Sequence, residues 1–325
     1  MNPQHEFQNH LTRRTFIGQS ARGVGGLALG SMLFPELLAA GTKTREGGLG
    51  GIPHFAPKAK RVLCLFQSGG LSHVDLFDNK PALHEFAGKD LPPSIKGTQR
   101  LTGMTSGQKD YPVRPPLVEG KACGKHGTWI SNLLPHIQTI ADDICIIKTL
   151  NTEAINHDPA ITFFQTGSQL PGRPSMGAWT DYGLGRMNDN LPSFVVLVST
   201  NKERSGQGLL ARLWGSGFLP SAHQGVQFRG AGEPVLYLRD PEGLTREQSK
   251  TLLEGANELN RLNLASAGDP EISARISQAE MAYRMQASVP ELMDLTGESK
   301  AVMESYGPDV NTPGSFARNA LLARR

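Results

Sequence analysis

The sequence has no apolar run long enough to form a stable membrane span. The weakly hydrophobic stretch from Gly23 to Phe34 holds about 12 residues where about 20 are needed. Cysteine is scarce: three in 325 residues cannot all pair within one chain, which argues against a disulfide framework. The basic residues form no stripe interleaved with aromatics, and the net charge is only +3, so nothing points to nucleic acid. There is no internal repeat. Ser68-Gly69-Gly70 lacks the Gly-Lys-Ser/Thr ending that a phosphate loop requires. What is present, 38% hydrophobic residues with 37 glycines and 22 prolines, describes a globular and loop-rich chain.

The first positive signal is Thr12-Arg13-Arg14-Thr15-Phe16-Ile17 ahead of that weakly apolar stretch. Arg13, Arg14 and Phe16 read as a twin-arginine export signal, with cleavage near Ala39-Ala40-Gly41. The competing reading, a basic start followed by a core helix, is opposed by Gly23, Gly25 and Gly26, each costing roughly 1 kcal/mol in a helix interior. The export machinery is then a partner, and the destination is periplasmic or extracellular. That route carries folded proteins, which suits one that collects a metal or cofactor before export. Residues 1–41 are the signal peptide, 42–60 a linker rich in Gly, Pro and Lys, and 61–325 one α/β domain whose part from 245 onward is helical.

Within the domain, Val62–Phe66 and Ile144–Ile147 are short continuous apolar runs, the pattern of strands buried on both faces of a parallel sheet. Cys64 and Cys145 lie inside them and are expected to be buried free thiols, whereas Cys123 lies among glycines and lysines. Residues 79–128 carry no sustained period and are expected to be irregular. Ile130, Leu133, Leu134, Ile137 and Ile140 recur at helical spacing. Further helices are expected from Asp158-Pro159 and across about Gly177–Arg186, and strands at Phe194–Val198 and Val235–Leu238. Together these predict an open, mainly parallel sheet flanked by helices. After it, Thr245-Arg-Glu-Gln248 forms a capping box. Asp269-Pro270 opens a helix with Ile272, Ile276, Ala279 and Tyr283 on one face, and a short helix stops at Gly307-Pro308.

Two clusters carry candidate chemistry. In Ser68-Gly69-Gly70-Leu71-Ser72-His73-Val74-Asp75-Leu76-Phe77-Asp78, His73, Asp75 and Asp78 offer imidazole and carboxylates of the kind that bind divalent metals, or simply cap turns. In Asn156-His157-Asp158-Pro159, His157 and Asp158 stand at a helix start, a place suited to anions, where Asp158 also serves as an N-cap type. His126, His136 and His223 are scattered and unassigned.

Ser-Gly-Gly-x-Ser-His-x-Asp-x-Phe-Asp (68–78), Asn-His-Asp-Pro-Ala (156–160), Thr-Gly-Ser-Gln-Leu-Pro-Gly-Arg-Pro-Ser-Met-Gly (166–177) and Gly-Ser-Gly-Phe-Leu-Pro (215–220) resemble a family of twin-arginine-exported bacterial proteins of unknown function related to sulfatases and alkaline phosphatases. The resemblance implies an α/β fold of that type holding one or two divalent metals, zinc, calcium, magnesium or manganese, at its strand ends. It also implies a nucleophile at a helix start acting on sulfated or phosphorylated small molecules or sugars. His157 falls where sulfatases carry the cysteine that becomes formylglycine, and Ile161 where they carry an arginine. His157 is therefore the implied catalytic residue or a metal ligand, and His73, Asp75, Asp78 and Asp158 are implied ligands. The alternative implied by the departed residues is a non-catalytic binding or scaffold module. The family continues well past Phe316–Arg325, so the chain resembles the front part of a larger protein, and Phe316, Leu321 and Leu322 are expected to lack a cover.

Overall fold

The computed structural model describes residues 48–49, 54–98, 102–103, 105–199, 211–230, 233–235, 240 and 243–325. The signal at Arg13, Arg14 and Phe16, and Leu236–Leu238 of an expected strand, lie outside them. Among the described residues the fold is mixed α/β, with ten α-helices and two two-stranded sheets. The chain divides into two compact units, one from Leu65 to Ile161 and one comprising Thr162–Arg325 with the residues before Leu65. Among the described residues no helix is long and apolar enough to cross a membrane.

The Leu65–Ile161 unit holds short helices α1 (His73–Leu76), α2 (Ala82–Glu85) and α3 (Pro93–Lys96), strands β1 (Gly120–Cys123) and β2 (Thr128–Ser131), and helix α4 (Pro135–Thr139). The strands pair as an antiparallel hairpin, with Gly120 opposite Ser131 and Cys123 opposite Thr128. The connecting turn needs Gly124, whose φ is +68° and whose added Cβ would lie 2.4 Å from Oδ1 of Asp142. That same Oδ1 accepts a hydrogen bond from the Lys125 amide at 2.7 Å. Cys123, Ile130 and Ala141 form the core here, covered by Phe77, Leu134, Ile137 and Ile146.

Several expectations are corrected in this unit. The helical spacing from Ile130 to Ile140 is split, because Pro135 disfavours helical backbone at Leu134, which sits at φ −118°, ψ 57°. Ile130 therefore belongs to a strand, and Gln138 ties the two pieces by donating to the carbonyls of Ile130 and Ser131 at 3.2 and 3.0 Å. The 79–128 segment is not uniformly irregular, since the two short helices α2 and α3 and the strand β1 interrupt it. Val62–Phe66 and Ile144–Ile147 form no strand: among the described residues no strand pairs with them, and Val62 and Ile147 are 82% and 63% exposed. The cysteines invert for the same reason. Cys64 and Cys145 are exposed and Cys123 is buried, and all three are free.

The remaining unit begins in helix α5 (His157–Thr166), which spans the boundary, and continues with α6 (Met176–Leu184), β3 (Val195–Leu197), β4 (Val226–Phe228), α7 (Arg246–Ala267), α8 (Pro270–Met293), α9 (Lys300–Ser305) and α10 (Phe316–Arg324). Strands β3 and β4 pair in parallel, Val195 opposite Val226 and Leu197 opposite Phe228. The expected mainly parallel sheet is thus represented by a three-residue pair, and its second strand falls at Val226–Phe228. Phe228 packs on Met285 and Val289 of α8, with Leu191, Leu197 and Val226 around them.

The helical part follows the sequence closely. Thr245 and Gln248 make both hydrogen bonds of a capping box on α7, Gly268 ends that helix in the left-handed region, and Asp269 accepts from the Glu271 amide at 2.9 Å to start α8. The inward face of α8 is carried by Ala274, Ile276, Met285 and Val289, so Ile276 is as expected while Ile272, Ala279 and Tyr283 are only partly buried. Helix α9 stops at Ser305, just short of Gly307-Pro308 as expected, and a 3₁₀ turn that the sequence did not announce begins at Pro308. Helix α10 departs from expectation: Leu321 and Leu322 are covered, by Leu295 and Val310, while Phe316 is 46% exposed.

Removing a fully buried leucine leaves a cavity, whereas trimming a half-exposed ring does not. Leu321→Ala is expected to lower unfolding stability by about 2–5 kcal/mol, and Phe316→Ala by less than about 1 kcal/mol, measured by urea denaturation followed by circular dichroism.

Candidate functional site

Asp75 sits in α1, a single turn opened by Ser72. Its Oδ2 accepts from the Ser72 hydroxyl at 2.6 Å and its Oδ1 from the Leu117 amide at 2.8 Å. These two bonds, Ser72's the larger, hold its carboxyl below the ordinary 3.8. Asp78, just past the turn, meets Lys80 at 3.2 Å, Lys148 at 3.7 Å and the His73 ring at 3.9 Å. Partial burial would raise its pKa, but the Lys80 hydrogen bond and the three neighbouring cations outweigh it and leave it lowered. Lys148 also donates to the Phe77 carbonyl at 2.8 Å, which closes the cluster.

His157 is the first residue of α5, and His157 and Asp158 are both exposed. The helix locks in at Ala160, whose amide donates to the Asn156 carbonyl at 3.0 Å, and Pro159 contributes no donor to the first turn. At the far end the Thr166 hydroxyl donates to the Thr162 carbonyl at 2.8 Å, and Gly167 turns the chain at φ +71°. Of the predicted residues, His73 and Asp78 come together beside two lysines. Asp75 is engaged elsewhere, and no hydrogen bond or ion pair joins His157 to any of the three.

A pairing with no sequence signal lies on α6. Nδ1 of His223 is 2.6 Å from Oδ2 of Asp181, and the Ser193 hydroxyl donates to Oδ1. The two partners are 42 positions apart in the chain, a separation that no motif marks. Both side chains are largely buried, His223 at 18% and Asp181 at 11% exposure. Burial alone would raise the Asp181 pKa, yet the hydrogen bonds from His223 and Ser193 and the charges of His223 and Arg186 hold it below 3.8. An ionised carboxylate only accepts, so Nδ1 carries the proton in this pair. The ring of Tyr182 stands edge-on to the imidazole at 5.3 Å.

Residues 59–325 match the family described as "Protein of unknown function (DUF1501)". The chain belongs to this family. No curated protein and no solved structure matches it. Both predicted clusters and the Asp181–His223 pair lie within the span shared with the DUF1501 family.

The donors do not fit a divalent metal as they stand. Asp78 faces two ammonium groups that repel a cation, and among the described residues no three of His, Cys, Asp and Glu gather to hold an ion.

The Asp181 contact makes a pH prediction. Because its folded-state pKa is depressed, its stabilisation is fully present above the unfolded-state value and is lost as pH falls from about 3.8 through the folded value. Asp181→Asn is expected to cost about 1.5–3 kcal/mol at neutral pH. It should also flatten the fall of Tm below pH 3.8, read by thermal melts across that range.

Proposed function

We propose that the protein is an exported hydrolase of sulfate or phosphate esters, descended from the sulfatase and alkaline phosphatase superfamily, with His157 as its reacting group. The observation that supports this reading is the helix from His157 to Thr166, closed by Gly167, which begins and ends where the resemblance requires. An imidazole at that position can attack phosphorus directly or take a proton from the attacking water. No step of the proposal runs through a divalent metal, given the two ammonium groups that face Asp78. Export to the periplasm or beyond follows from Arg13-Arg14 and the stretch behind them.

A second reading, a binding module for sulfated or acidic sugars that has lost catalysis, is favoured by one specific observation. Lys80 and Lys148 converge on the single carboxylate of Asp78 with the His73 ring beside them, so two ammonium groups face one carboxylate there and can receive an anionic ligand. The two readings part on turnover. The purified protein is expected to release nitrophenol from an aryl phosphate or aryl sulfate, and His157→Ala to lower that rate at least about a hundredfold. Absence of turnover in the wild type, with tight binding of a sulfated sugar that Lys148→Ala weakens, would establish the binding module instead.

A further inference from the structure

The last turn of α6 is met by residues from far upstream in the chain. The Leu49 amide donates to the Gly183 carbonyl at 3.0 Å, one of the carbonyls at a helix C-terminus that have no partner within the helix itself. Leu49 thus caps α6. Gly48 lies on the same turn, where a Cβ would stand 2.9 Å from the carbonyl carbon of Leu184 and 3.0 Å from the nitrogen of Gly185. Both neighbours are main chain and cannot swing aside as a side-chain tip can, so the approach requires glycine. In sequence the stretch is Gly47-Gly48-Leu49-Gly50-Gly51, a composition that reads as a flexible linker. At Gly48 the missing side chain serves close contact instead. Both residues precede the span that matches the DUF1501 family, which begins at residue 59.

We propose that Gly48 and Leu49 form a strap that closes α6 and belong to the folded domain, and that removal of the signal peptide leaves them on the mature chain. The strap's acceptor is a helix-end carbonyl, so it seats only once α6 has wound. The turn it closes also carries Asp181, whose carbonyl accepts from the Gly185 amide at 2.8 Å while its carboxylate takes Nδ1 of His223 at 2.6 Å. The strap therefore bears on the helix end that holds this pair. Gly41, in the expected cleavage region, stands seven positions ahead of Gly48, a reach of at most about 25 Å when extended. Cleavage there spares the strap, and cleavage beyond Leu49 removes it. The processing half of the proposal rests on the export reading, and the strap itself does not.

The test is amide hydrogen exchange of the full chain, read by mass spectrometry on the peptic fragments that contain Leu49 and Gly185. The Leu49 amide is expected to exchange at least about tenfold more slowly than in the unfolded chain. Leu49→Pro removes that N–H and Gly48→Val blocks the approach, so each should speed exchange at Gly185 several-fold and lower Tm by about 2–4 °C. Leu49→Ala keeps the amide and trims a side chain that is 43% exposed, so it should leave both readings at their wild-type values. A Leu49 amide that exchanges at the unfolded rate in the wild type, or a Leu49→Pro variant with unchanged exchange at Gly185, overturns the strap. N-terminal sequencing of the exported protein tests the processing half: a first residue at or before Gly48 supports it, and one beyond Leu49 overturns it. A chain that keeps its signal peptide counts against the export reading, and the exchange result still decides the strap.

Discussion

The packing of Phe228 against Met285 and Val289 is the contact on which most of the larger unit depends. A parallel pair of three residues cannot stand by itself, because so few ladder bonds do not offset the entropy of ordering two strands. Helix α8 supplies the missing cover, and its N-terminal half does a second task. Glu271 and Gln278 grip Ser221, two residues before His223, so the helix that buries the strand pair also fixes the loop that meets α6. Stability and site geometry are coupled here through one helix.

The parts of this fold that were legible in the sequence are those governed by local chemistry. The Thr245–Gln248 capping box and the Asp269-Pro270 start depend on contacts within four residues, and both form as read. The helix from His157 ends at Gly167 for the same reason, a local turn that glycine favours. What was not legible depended on partners distant in sequence. Val62–Phe66 reads as a buried strand because its composition is apolar, but composition says nothing of whether a neighbouring strand is present to pair with it. Cys123 shows the converse. Its immediate neighbours are polar or small, yet the hairpin turns its side chain onto Ile130 and Ala141. The Asp181–His223 contact is the extreme case, two ordinary residues whose significance arises only when α6 meets a 3₁₀ turn.

The carboxylates of the first cluster illustrate why residue type alone is a poor guide to metal binding. Asp75 and Asp78 are three positions apart, each in or beside the same short turn, and either could serve as a ligand on chemical grounds. Their surroundings decide otherwise. Asp75 spends its two oxygens on a hydroxyl and an amide, which orders the turn and links it to Leu117. Asp78 spends its charge on Lys80 and Lys148, the second reaching it from 70 positions away. A divalent ion at Asp78 would have to compete with the two ammonium groups already paired to it. The same electrostatics favour an approaching anion, since Lys80 and Lys148 can turn outward at little cost from an ion pair that water already screens. Charge balance therefore makes this cluster better suited to an anion than to a divalent cation.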